Sequence, residues 1–378
     1  MVTKIASTPK YKVLLDLLTR DLLPRHRKTG SRLPSEQGLA AQYGISVGTV
    51  RRAMAELVTR GLLVKKQGHG TFIAHGRRAQ SFTLGLVLTD IRNPFFSELA
   101  RGIQEESRSL GYSVMYYNTD DSLAREAEAV DMLIARRVDG VILVPLLEAG
   151  EQGILQRLRD EQTPYLYLDR RPAASRGDFV GTDNAAGVRA AMVYLRSLGH
   201  IRIGCISAQP HTVNLSDRVA AYTEMVDGET PSRRAPAVRV SRLRGDEGGY
   251  EAARSLLTLS RPPTAIVAVN DTIAIGAVRA AGELGVRIPQ DLSIVGFDDI
   301  RLSARLPVPL TTVQQPIEEM SRVAVRTLWE RVTGAAGQRA RSIVLAPRLV
   351  VRKSCAAVSP SVARGGRIAA AATEGGSR

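Results

Sequence analysis

Through the middle of the chain, polar and charged residues recur in groups, each just after a short apolar run. Asp90, Asn93, Phe95 and Phe96 follow 83–88 (TLGLVL), and Asp169 and Arg170 follow the apolar start of 165–169 (YLYLD). Asn214, Asp217 and Arg218 come after 201–207 (IRIGCIS), and Asn270 and Asp271 after 265–269 (AIVAV). Asp298 and Asp299 close 292–298 (LSIVGFD), and Gln314 and Gln315 end a last run at 311–315. Together these residues supply carboxylate acceptors, amides that donate and accept, arginine donors and a pair of aromatic rings. Such a set can hold a hydroxyl-rich small molecule such as a sugar, with polar groups on its hydroxyls and an apolar wall on one face. Any one of these positions could be polar for solubility alone.

A second concentration of chemistry lies near the N-terminus. Val50, Met54 and Leu57 fall at i, i+4 and i+7 of a helix beginning at Ser46, and form one buried stripe. Gly48, Arg51, Arg52 and Ala55 fall toward the other side. Small residues and arginines facing outward let a helix enter the DNA major groove without steric block. Arginine there can fork onto guanine, and the hydroxyls of Ser46 and Thr49 can reach phosphates or base edges. Downstream, Leu62–Lys66 and Thr71–Ala74 flank Gln67-Gly68-His69-Gly70, the signature of a β-hairpin whose glycines admit a close backbone approach.

The elements that must position these groups follow from periodicity. Lys10–Leu23 reads as a helix closed by Pro24, and Ser35 caps a short helix that Gly44 ends. From Phe82 the pattern becomes strand then helix, repeated. Helices are expected over 96–110, 123–137, 185–198, 216–226, 247–259 and 272–285. Strands are expected at the runs already named, and at 113–118 and 140–145. Near-continuous apolar strands alternating with amphipathic helices imply parallel sheets covered on both faces. About 270 residues exceed one such sheet, so two similar lobes meeting near residue 175 are expected. In open α/β sheets ligands sit beyond the carboxyl ends of the strands, which is where the polar groups fall.

Charge separates the two regions. Residues 1–80 hold 15 Lys/Arg against 4 Asp/Glu, whereas 81–351 hold 32 of each. A basic head on a neutral body suits phosphate binding by the head alone. Cys205 and Cys355 are the two cysteines, far apart and without a CxxC, so neither a disulfide framework nor a zinc site is expected. No run of apolar residues is long enough to cross a membrane and no secretory leader is evident, which points to the cytoplasm. Lysine is absent between Gln67 and Arg352, which removes Schiff-base chemistry from the body. No dinucleotide fingerprint or nucleophile elbow appears, and His200 and His211 lack metal-ligand partners in sequence. Neither catalysis, a metal nor a cofactor is expected.

Two resemblances sharpen this reading. Leu33-Pro34-Ser35-Glu36, Thr49-Val50-Arg51 and Gly68-His69-Gly70-Thr71 resemble the winged helix-turn-helix of the GntR family. By that likeness DNA is met by Ser35, Gln37, Ser46, Val47, Gly48, Thr49, Arg51, Arg52, Gln67, Gly68, His69 and Gly70. Gln37 and Val47 depart from the arginines usual in the family, so its operator sequence does not carry over. Residues 82–350 resemble the effector domain of LacI/GalR regulators. The likeness rests on Asn93-Pro94-Phe95-Phe96, Val138–Ile142, Gly181–Asn184, Asn270-Asp271, Val295–Asp299 and Leu310–Val313. It implies ligand contacts from Phe95, Phe96, Asp169, Arg218, Asn270, Asp298 and Gln315, and the strand-end reading adds Asn93.

The expected protein is α/β. A winged helix-turn-helix occupies 1–75, a linker 76–81, a two-lobed periplasmic-binding-protein-like body 82–352, and an unstructured tail 353–378. It would regulate transcription as a homodimer on double-stranded operator DNA, repressing until a sugar-like effector binds between the lobes. A purine or sugar-phosphate co-repressor is the alternative effector. A sugar-binding protein with no role on DNA is the alternative class.

Overall fold

A computed structural model describes residues 11, 13–15, 17–18, 31–59, 63–66, 70–73, 80–146, 151–172, 175, 177–209, 213–227, 238–337 and 339–358. Its contacts separate into two units, Met1–Ser81 and Phe82–Arg378.

In the first unit the described residues among 11–18 are helical, followed by α1 (Glu36–Tyr43) and α2 (Val47–Thr59). Ser35 caps α1 by accepting from the Gly38 amide, and Gly44 ends it at φ 64°. Val50, Ala53, Met54 and Leu57 of α2 are buried against Leu14, Leu18, Leu39 and Leu63, as the stripe predicts. Strands β1 (Leu63–Lys66) and β2 (Gly70–Ile73) pair antiparallel, Leu63 opposite Ile73. The turn residues Gln67, Gly68 and His69 and most of the linker lie outside the described residues.

The second unit holds two six-stranded sheets. The first sheet comprises β3 (Thr83–Leu88), β4 (Ser113–Asn118), β5 (Gly140–Leu143), β6 (Tyr165–Leu168), β7 (Asp178–Thr182) and, much later, β13 (Ser342–Leu345). Its order is β13-β7-β6-β5-β3-β4, all parallel. The second comprises β8 (Ile203–Gln209), β9 (Arg239–Arg244), β10 (Ala265–Ala268), β11 (Ser293–Asp298), β12 (Thr311–Gln314) and β14 (Arg348–Val350). Only β14 runs antiparallel, against β12. Burial on both faces explains the continuous apolar strands. In β3, Leu84, Leu86 and Leu88 join the core on one side of the sheet, and Val87 joins the core on the other.

Helices cover both sheets: α3 (Pro94–Ser109), α4 (Leu123–Ala135) and α5 (Glu151–Asp160) in the first lobe, α6 (Asn184–Ser197), α7 (Val213–Asp227), α8 (Gly245–Leu257) and α9 (Asp271–Glu283) in the second. The final helix α10 (Ile317–Thr333) follows second-lobe strands yet buries Met320, Ala324, Val325 and Leu328 in the first-lobe core. The expected single division near residue 175 is therefore corrected. The chain crosses between lobes three times, after β7, after β12 and after β13, because α10 and β13 complete the first lobe. A hydrogen bond from the Thr182 hydroxyl to Gln315 Oε1, 2.7 Å, ties two of these crossings together.

The expected start of an unstructured tail at 353 is also corrected. The Lys353 amide donates to Pro309 O, and buried Ser354 accepts from the Thr311 amide at 2.7 Å and donates to Ile294 O. The Val358 amide donates to Leu198 O. Backbone hydrogen bonds hold this segment, and they leave no apolar period in the sequence. Residues 359–378 lie outside the described residues.

His200 anchors the same segment from beneath. It is buried, with Nδ1 2.9 Å from the Thr264 hydroxyl and Nε2 2.9 Å from Ser293 Oγ and 3.1 Å from Ala356 O. Burial pushes its pKa down from 6.5 to about 4. The unfolded chain therefore binds the extra proton between those values. The His200 contribution is whole above pH 6.5 and is lost as pH falls toward 4. At about pH 5 the loss is about 2 kcal/mol. Denaturant melts of wild type and His200→Gln at about pH 7.5 and pH 5 should show the gap between them narrowing by that amount. An unchanged gap would mean that the buried imidazole takes up its proton as readily as a solvated one.

Candidate functional site

The carboxyl ends of both sheets face one cavity of about 340 Å³ within the second unit. In each sheet the first strand, β3 or β8, has neighbours reached by crossovers in opposite directions, and the loops leaving it splay apart to make room. All eight residues expected from the sequence line this cavity: Asn93, Phe95, Phe96 and Asp169 from the first lobe, Arg218, Asn270 and Asp298 from the second, and Gln315 at a crossing.

Their local structure shows how each is held. Asn93 caps α3 by accepting from the Phe95 amide, and Asn270 caps α9 by accepting from the Ile273 amide at 2.8 Å. Those side-chain oxygens are thus committed, and the amide nitrogens are the groups each can offer a ligand. Phe95 and Phe96 stack edge-to-face, ring centroids 5.1 Å apart, and both are buried. Asp169 and Asp298 adopt φ 67° and 110°, conformations uncommon for residues that carry a side chain.

Arg218 is the organising group, 2% exposed. Its Nε donates to Asn184 Oδ1 at 2.8 Å, and its Nη1 donates to Val269 O at 2.6 Å and Asp298 Oδ1 at 3.4 Å. The guanidinium lies 3.7 Å over the Phe297 ring centre. Gln315 Nε2 donates to Asp298 Oδ1 at 2.8 Å. Asn214 Nδ2 reaches across the lobes to Asp169 Oδ2 at 2.8 Å. On the residues that line the cavity, three buried side-chain atoms have no hydrogen-bond partner among the described residues, Asp169 Oδ1, Arg170 Nε and Arg218 Nη2. The first accepts and the two nitrogens donate.

Burial dominates the electrostatics. It raises the Asp169 pKa against the opposing pull of Arg170 and Arg218. It pushes Asp298 up to about 6 despite Arg218 and Gln315. Asp271, behind the cavity, is pushed to about 7 by burial and by the charge of Asp298, although Ser303, Thr312 and the Ile300 amide all donate to it.

The structure also brings in residues outside the expected set. Asp121 follows β4, Arg244 ends β9, and Arg244 Nη1 meets Asp121 Oδ2 at 2.6 Å across the lobes. Arg92 and Asp246 join the wall too. Asp121 was findable, since it follows a recognised strand. Arg244 was not, because RVSRLR has no apolar run.

In the first unit, Gln37, Ser46, Gly48, Arg51 and Arg52 are exposed. Ser46 Oγ accepts from the Thr49 amide and lies 2.8 Å from the Thr49 hydroxyl, fixing the start of α2. Val47 is half-buried and packs on the core, which limits what it can offer DNA. Arg51 pairs with Glu36 at 3.0 Å, and Arg52 stacks 4.1 Å over the Tyr11 ring. Gly70 sits at φ 105°, where a Cβ would stand 2.8 Å from Arg32 Nε.

Comparison with known proteins matches residues 10–73 to the bacterial regulatory proteins of the gntR family. Residues 192–355 match the periplasmic binding protein-like domain. The HTH-type transcriptional regulator MalR of Streptomyces coelicolor is 32% identical over 335 residues, 84% of this chain and 95% of MalR. This chain belongs to the HTH-type transcriptional regulators. The regulator joins a GntR-type head to a periplasmic-binding-protein-like body, as the two sequence motifs imply. The arabinose metabolism transcriptional repressor of Geobacillus stearothermophilus is 28% identical and matches 93% of this regulator and 99% of its own length. A LacI-family regulator of Enterococcus faecium, solved with bound ribose, superimposes with a TM-score of 0.65 at 29% identity. That match covers 73% of this chain and 100% of the other.

Proposed function

We propose that this regulator is a repressor whose hold on a pseudo-palindromic DNA operator is released by a small sugar-like effector bound between the lobes of its body. Two copies bring two heads to two half-sites. In each head α2 enters the major groove, with Ser46, Gly48, Thr49, Arg51 and Arg52 toward bases and phosphates. Ser35, Gln37 and the turn Gln67–Gly70 meet the backbone. The protein acts in the cytoplasm without a cofactor. Effector contacts come from Asn93, Phe95, Phe96, Asp169, Arg218, Asn270, Asp298 and Gln315.

One observation carries the effector reading. Inside an interlobe cavity, a buried acceptor, Asp169 Oδ1, and a buried donor, Arg218 Nη2, stand without partners among the described residues. Unpaired buried polar atoms are costly, and a ligand hydroxyl, which donates and accepts, can satisfy such groups. The ribose in the Enterococcus relative and the arabinose role in the Geobacillus relative's name support the same class. A ligand touching both lobes favours their closed arrangement, and closure is what changes operator affinity.

A thermal-shift screen against mono- and disaccharides, followed by anisotropy titration on DNA from upstream of the regulator's own gene, tests this. An effector at 100 times its Kd should stabilise the protein by about 2.7 kcal/mol, several degrees in Tm, and weaken operator binding. A panel with no stabilising sugar and unchanged operator affinity would overturn it.

A further inference from the structure

The chain joins the two lobes along one side. Its crossings leave β7, β12 and β13, which stand at or next to one edge of their sheets, whereas β4 and β9 form the opposite edges. Rotation about the crossings moves nearby strands least and the far edges most, so contacts between the far edges are broken by any opening. Asp121 and Arg244 make such a contact. Asp121 follows β4, its amide donating to Thr89 O at 3.1 Å, and Arg244 is the last residue of β9. Arg244 Nη1 donates to Asp121 Oδ2 at 2.6 Å. The aspartate side chain is buried and the arginine half-exposed. Burial raises the Asp121 pKa, while Arg170 of its own lobe and Arg244 of the other pull against that rise. Two other cross-lobe contacts lie nearer the crossings. Asp169, which meets Asn214, follows β6 beside β7, and Arg301, which meets Glu98 at 3.3 Å, follows β11 beside β12. Both members of the far pair line the cavity, so the pair closes its wall where the lobes would part furthest.

We propose that Asp121 and Arg244 are positioning residues, a latch that holds the lobes together round the effector and sets how long it stays. This rests on the interlobe effector reading above. The ion pair exists only when the far edges meet, so it stabilises the closed arrangement and leaves the open one alone. An effector enters before the latch forms and leaves after it breaks. Loss of the latch therefore shows in the dissociation rate, with association little changed.

Surface plasmon resonance on the immobilised full chain tests it, with ribose, arabinose, glucose, cellobiose and trehalose as probes. Wild type, Asp121→Asn, Arg244→Gln and the double variant are compared. For each sugar that wild type binds, either single change should speed dissociation by about tenfold, as suits an ion pair with one buried partner, and alter association by less than about twofold. The double variant should dissociate no faster than the singles, because its second change removes a contact already lost. Arg244→Lys keeps the charge and should recover most of the residence time, as the pair uses one nitrogen. Effects that multiply in the double variant would make the two residues independent ligand contacts, overturning the latch while the sugar site stands. Dissociation unchanged in both singles would overturn it as well. Binding of no sugar in the panel by wild type overturns the effector reading and the latch with it.

Discussion

Asp169→Asn should lower effector affinity by about 30-fold or more, and Arg218→Met by at least about 100-fold, both leaving a regulator that no longer releases DNA. The asparagine keeps the shape of Asp169 and can still face Asn214, but it replaces a charged acceptor with a neutral amide. Charge-assisted hydrogen bonds are roughly twice as strong as neutral ones, so the ligand loses its best partner at little cost to the fold. Arg218→Met removes more. Nε and Nη1 hold Asn184, Val269 O and Asp298, so their loss leaves a buried carboxylate without its cation. Breaking such a pair costs about 3–5 kcal/mol. Asp298 already titrates at about 6 with Arg218 beside it, and should then rise further and be protonated near neutrality. Arg218→Lys should not rescue binding, because lysine cannot serve Asn184, Val269 O, Asp298 and a ligand from one planar fork. Effector titrations of the two main variants, with operator binding measured alongside, check the prediction. An unaltered response in Asp169→Asn would remove that carboxylate from the site even if Arg218→Met failed to fold.

How far the sequence showed this site depends on a property of parallel sheets. Each strand that reads as an apolar run also announces its carboxyl end, and in an open α/β sheet those ends share one rim. Asp169, Asn270 and Asp298 could therefore be grouped although more than a hundred residues separate the first from the others. β9 shows the limit. As an edge strand it exposes most of its side chains, so neither the strand nor Arg244 at its end left an apolar signal. β14 is three residues long, and β13 alternates half-buried and exposed positions at the opposite sheet's edge. The return of α10 to the first lobe is a tertiary fact. Its apolar stripe fits any sheet of suitable shape, and only the whole fold decides which. Residues 353–358 were hidden for another reason, since backbone amides and Ser354 hold them with little help from apolar side chains.

The second large effect is expected at a residue that has no side chain. Gly276→Ala should destabilise the body by about 3 kcal/mol or more and lower Tm by several degrees, if the variant accumulates folded at all. Helices α8 and α9 pack backbone against backbone. A Cβ on Gly276 would stand 2.0 Å from Asp246 O and 2.6 Å from the Tyr250 amide nitrogen, and one on Gly249 would stand 2.1 Å from Ile273 O. No rotamer relieves a clash with main chain, so the helices must separate. Ile273 and Asp246 both line the cavity, and Asn270 caps α9, so separation also displaces one wall of the site. Gly282, later in the same helix, has nothing within 4 Å of its added Cβ. Gly282→Ala should therefore be neutral or gain about 0.5–1 kcal/mol from helix propensity alone. Thermal melts of the two variants side by side separate close packing from any general intolerance of α9. Equal and small shifts in both would show that the helices can move apart at little cost, and that the cavity wall is not fixed by their contact.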